Sequence, residues 1–160
     1  MLKEKPKERE FDRSQPILLG TRHAGKMPGI YIEDTGTILG RGVFAGREFF
    51  AGDLVEICPI VLLDLKTQPF PGVIRRLMFN WSKTHVALAL GYGSLYNHSD
   101  QPNLTFQRGP ENLTITFSAL RDIAAGEQLT ISYDHIGEGK NPRERSWFEI
   151  HGVEKIQLEK

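Results

Sequence analysis

The chain has 160 residues, 39% of them apolar, enough for one domain with its own core and no need of disulfide or metal staples. Twenty Lys and Arg balance twenty Asp and Glu, so no long-range field draws the protein onto an anionic surface, and strong nucleic-acid binding is not expected. The single cysteine, Cys58, excludes an internal disulfide and a multi-cysteine zinc cluster, and it suits a reducing compartment.

The first fifteen residues alternate charge with almost no apolar content, which cannot repay the entropy of ordering, and they predict a mobile tail. From Ile17 to Gly29 short apolar groups sit among Gly, Pro and basic residues and read as an irregular lead-in. Neither the start of the chain nor any later stretch has the apolar run of a signal peptide or the roughly 18 residues of a membrane span, so a soluble cytoplasmic protein away from membranes is expected. N-x-Ser/Thr triplets at Asn80, Asn97, Asn103 and Asn112 then have no glycosylation machinery to meet.

Short β-type runs punctuated by glycine follow: Ile30 to Glu33, Gly42 to Ala45, and Leu54 to Leu63. The region from Val73 to Trp81 is the one weakly helical stretch. Leu104 to Phe106 and Leu113 to Ser118 read as a hairpin whose loop is Gly109 to Asn112, the second strand alternating apolar and polar as a strand with one dry face does. Gln128 to Tyr133 repeats the alternation after a turn at Ala124 to Glu127. The elements together predict a mainly β domain with few short helices.

Three strings stand out by their order. Gly40-Arg41-Gly42-Val43-Phe44-Ala45 lies between two strands, Asn97-His98-Ser99-Asp100-Gln101-Pro102-Asn103 lies mid-chain, and Gly126-Glu127-Gln128-Leu129 runs on to Tyr133. An isolated G-x-G is most often a tight turn, an isolated Asn-His most often a hydrogen-bonded turn, and a tyrosine at a strand end most often a core residue with a wet hydroxyl.

In combination the strings resemble the SET domain, whose hallmarks are G-x-G with a following aromatic, N-H-S-x-x-P-N, and G-E-x-L ending in tyrosine. The resemblance covers Ile30 to Tyr133 and, more loosely, Trp147-Phe148, and Leu90 to Tyr96 is similar to compact viral and bacterial members without cysteine-rich flanks. It implies a β-clip fold of several short curved sheets with a knot-like C-terminal segment. The division is then a tail and lead-in over 1–28, a core over 29–135, and a segment over 136–160 that completes the cofactor and substrate site.

The activity implied is methyl transfer from S-adenosylmethionine to a lysine of a protein or peptide, with no metal. The main chain at Arg41 and Gly42, the Asn97 amide and the backbone of His98 would hold the cofactor. Trp147 either stacks on the adenine or anchors the tail. Tyr133 would be the catalytic residue, with Tyr92 and Phe106 in the substrate channel. Phe106 has a second reading, a hairpin core position. No second tyrosine follows Tyr133, where Asp134-His135-Ile136-Gly137 stand instead. The peptide substrate is not encoded in any legible loop, and a homodimer stays open because short relatives sometimes pair. The other reading of the same residues is a non-catalytic peptide-binding adaptor on the same scaffold.

Overall fold

The computed structural model describes residues 29–67 and 70–134. Among these residues nine strands form two sheets, in line with the mainly β reading of the alternating and glycine-punctuated sequence. In the first sheet β1 (Ile30–Asp34), β2 (Arg41–Ala45) and β9 (Gln128–Ile131) are joined antiparallel, and β6 (Asn97–His98) lies parallel beside β9. The second sheet has the order β4 (Met78–Asn80), β5 (His85–Ala89), β3 (Leu54–Asp64), β8 (Thr114–Ala119) and β7 (Leu104–Gly109), all antiparallel.

Period-two patterning decides which side chains turn inward. In β8 Ile115, Phe117 and Ala119 are buried while Thr114, Thr116 and Ser118 are only partly so. In β9 Leu129 and Ile131 are buried. Side chains from both sheets enter one apolar cluster: Val43, Ala45, Leu129 and Ile131 meet Cys58, Ala87, Leu104, Ile115, Phe117 and Tyr96. The isolated bridge Phe49↔Ile123 adds two large buried residues.

The expected helix over Val73 to Trp81 is corrected. Among the described residues of this stretch α-helix covers only α1 (Gly72–Arg75), and Met78–Asn80 is strand β4, paired with β5. Tertiary pairing overrides propensity here, because Met78 is buried against the sheet rather than repeating on a helical face. Strand β5 and the 3-10 turn Gly93–Leu95 have no counterpart among the elements expected from the sequence. The hairpin loop also starts one residue later, since Gly109 still pairs with Thr114.

No helix among the described residues is long and apolar enough to cross a membrane. The expected mobile tail over 1–28 and the completing segment over 136–160, with Trp147, lie outside the described residues.

Candidate active site

The parallel β6–β9 pair organises the site. Asn97 lies opposite Thr130 and His98 opposite Ile131, and the pairing continues as the Ser99 N–H donates to the Ile131 carbonyl at 3.0 Å. The second string is thus laid directly against the third. Asn103 fastens the two. It is 1% exposed, its amide donates to Glu127 Oε1 (3.0 Å) and to the Gln128 carbonyl (2.8 Å), and its Oδ1 accepts from the Thr130 N–H (2.8 Å). Asn103 and Glu127 are therefore structural members of their strings. Glu127 also meets the Arg121 guanidinium and accepts from the Ala124 N–H, and the guanidinium holds its carboxyl below the usual carboxylate range despite burial.

Tyr133 stands two residues past the end of β9, in a turn rather than in the strand. Its N–H donates to His98 Nδ1 at 3.1 Å, which leaves the proton of a neutral ring on Nε2, 3.3 Å from the Asp100 carboxylate. Its hydroxyl donates to the Tyr96 carbonyl at 2.9 Å. Burial pushes the Tyr133 hydroxyl up to about 12. At neutral pH the group is a neutral donor and acceptor, and not a base.

Tyr133 borders a cavity of about 50 Å³ whose lining includes Met78, Phe79, Tyr96, Phe106 and Ile131, with Arg76 among its other residues. Its mainly aromatic and aliphatic wall suits the alkyl stem of a side chain. Phe106 stands both on the cavity wall and against the core. Its ring lines the cavity and also packs edge-on to Phe79 at 5.1 Å and near Phe117 at 6.0 Å. Tyr92, expected in the channel, does not line this cavity; it precedes the 3-10 turn and packs on the core. Tyr96 lines it instead. The signal that would have found Tyr96 is its place immediately before Asn97, where the parallel pairing fixes its carbonyl. Phe79 was hidden by the helical reading of its segment.

On the other side of Asn97 lie Arg41 and Gly42. The Asn97 amide donates to the Arg41 carbonyl at 3.1 Å. A Cβ on Gly42 would come within 2.5 Å of Gln128 Nε2, 3.0 Å of Thr35 Cγ2 and 3.1 Å of Asn97 Nδ2. Glycine is thus required at 42 because the protein's own side chains close on its Cα, whereas at Gly40, with φ +69°, nothing lies within 4 Å. Gln128 Nε2 is buried without a hydrogen-bond partner among the described residues, a cost of about 1 to 3 kcal/mol unless a bound polar group completes it.

Residues 40–134 match the SET domain family. The histone-lysine N-methyltransferase of Schizosaccharomyces pombe specific for H3 lysine-37 is 36% identical over 101 residues, which is 61% of this chain and 69% of that protein. A solved structure from Plasmodium falciparum, there a candidate histone methyltransferase, superposes with a TM-score of 0.56 at 31% identity, covering 68% of this chain and 96% of its own. With the family matched from the first glycine string to just past Tyr133, and both relatives above 30% identity, the chain belongs to the SET domain family.

Proposed function

We propose that the protein is a protein-lysine N-methyltransferase that takes its methyl group from S-adenosylmethionine, with Tyr133 as its catalytic residue. The observation that carries this reading is the small aromatic-walled cavity bordered by a partly buried tyrosine whose hydroxyl is fixed on a main-chain carbonyl. An adaptor that only grips a peptide does not need that fixed hydroxyl.

The donor set fits the cofactor. Tyr133 and the Tyr96 carbonyl are oxygens, which suit a positively polarised methyl group. The Asn97 amide, the Arg41 main chain and the unsatisfied Gln128 amide converge at Gly42, where the amino-acid end would be held. The His98 main chain would meet the adenine. When bound, S-adenosylmethionine supplies an electrophilic methyl on a sulfonium, and no covalent enzyme intermediate is needed.

The chain's own residues then have three tasks. Phe79 and Phe106 exclude water from the lysine side chain, and an apolar wall favours the neutral amine over the ammonium, whose ordinary pKa is about 10.4. Tyr133, its proton given to the Tyr96 carbonyl, offers the amine acceptor lone pairs and so orients it. The narrow cavity aligns the nitrogen for in-line displacement, so the rate comes from positioning in a dry, matched site.

The test is incubation with labelled S-adenosylmethionine and a cell lysate, followed by mass spectrometry of the labelled protein. Methyl-lysine in a target, absent with Tyr133→Phe, supports the reading. Calorimetric silence toward the cofactor with retained peptide binding overturns it in favour of an adaptor.

A further inference from the structure

Glu56 lies outside all three strings, yet it bonds Tyr96 and the turn before it, beside the candidate site. The β3–β8 register shifts between Leu54 and Glu56, and beyond that irregularity Cys58 and Ile60 are buried while Ile57 and Pro59 face out. The period-two pattern places Glu56 on the inward side with Cys58. Its Oε1 accepts from the Tyr92 N–H at 2.9 Å and its Oε2 from the Tyr96 hydroxyl at 2.8 Å. Gly91, at φ +72°, completes the seat, since a Cβ there would lie 2.5 Å from Glu56 Oε1.

Tyr96 is 2% exposed, with its ring 4.7 Å from Phe117, and its carbonyl is the acceptor of the Tyr133 hydroxyl. The carboxylate therefore holds the ring and the preceding turn of the residue on whose main chain Tyr133 rests. A carboxylate has two acceptor oxygens for these two donors. An amide in its place has one, and would turn an N–H toward the other donor.

We propose that Glu56 is a positioning residue, which sets the Tyr133 hydroxyl by clamping Tyr96 and the turn before it. The proposal rests on the catalytic reading of Tyr133 for its consequence, but not for its geometry. Burial and then the Glu56 charge push the Tyr96 hydroxyl up, in keeping with a carboxylate seated against it.

The experiment is NMR of protein labelled at the tyrosine Cζ carbons, together with kinetics. Glu56→Gln is expected to move the Tyr133 resonance as well as that of Tyr96 and to leave Tyr31, on β1, unmoved. It is expected to lower kcat by ~10-fold or more with KM for peptide within about threefold, because misplacement rather than lost binding is the defect. Tyr96→Phe, which keeps ring and carbonyl, serves if Glu56→Gln does not fold, and it moves the same resonance with about a three- to fivefold loss of kcat. In a Tyr133→Phe background Glu56→Gln costs no further kcat if it acts through that hydroxyl. An unmoved Tyr133 resonance, or losses that simply add, overturns the proposal. A moved resonance in a protein that transfers no methyl group upholds the clamp and overturns the proposed activity.

Discussion

At the scale of single residues, the proposed chemistry concentrates on one hydroxyl. Tyr133→Phe removes the donor to the Tyr96 carbonyl while keeping the ring against His98, whose centroid is 5.3 Å away. Turnover is expected to fall by ~100-fold or more with cofactor affinity within a few-fold, the scale of one preorganised polar group. Near-normal turnover would end the assignment. Asn97→Ala acts elsewhere, since it frees the Arg41 carbonyl and takes an amide from the Gly42 corner. Calorimetry is expected to show S-adenosylmethionine binding weakened about 5- to 150-fold, corresponding to roughly 1 to 3 kcal/mol. Unchanged binding in a folded variant makes Asn97 a structural turn residue. Phe106→Tyr adds a hydroxyl to the cavity wall, where it reduces the room for an amine that already carries a methyl group. Product mass spectrometry is expected to shift toward monomethyl-lysine. An unchanged product distribution with a lowered melting temperature would instead mark Phe106 as a packing residue of the Phe79–Phe117 cluster.

At the scale of elements, the site depends on a short parallel pairing between two strands far apart in sequence. Two paired residues per strand cannot hold β6 on β9 alone, and Asn103 supplies the rest by bonding main-chain groups of Gln128 and Thr130 on β9. Asn103→Ala would leave the Thr130 N–H and Gln128 C=O without their partner inside the fold. Urea denaturation is expected to show a loss of about 3 kcal/mol, from buried polar groups left unsatisfied. A loss under about 1 kcal/mol would mean that the β6–β9 pairing does not rely on this side chain. The sequence announces N-H-S-x-x-P-N as one string, but the fold divides its work. Asn97 bonds the Arg41 carbonyl and His98 accepts from the Tyr133 N–H, while Asn103 fastens the strands together.

At the scale of the whole molecule, buried ionisable groups set the pH range of stability. Cys58, pushed up to about 12 by burial and then by Glu56, and Tyr96 and Tyr133, both raised, ionise more readily in the unfolded chain, whose ordinary values are 9.0 for Cys and 10.0 for Tyr. Their contribution is complete below about pH 9 and is lost as the pH climbs toward about 12. Glu127, lowered by Arg121, works in the opposite sense, contributing above its ordinary value of 4.5 and losing that contribution as the pH falls through its folded value. Thermal unfolding is expected to be flat through neutrality and to fall on both flanks, with Cys58→Ala softening the alkaline one. A midpoint that rises above about pH 9 would contradict the burial of these groups.

The sequence by itself determined the β class, the strand faces with strict alternation such as Thr114–Ala119, and the order of strings that marks the family. Those features are local, since period-two burial and turn chemistry are written within a few residues of each other. Only the tertiary structure decided the rest. Met78–Asn80 is a strand because β5 pairs with it, and Tyr96 rather than Tyr92 borders the cavity because of where the 3-10 turn leaves the chain. Gly42 is glycine because Gln128 and Asn97, 86 and 55 positions away by their numbers, close on it. Contacts over such separations depend on which distant strands become neighbours in a sheet, here β2, β9 and β6, and no short window of the sequence contains both partners.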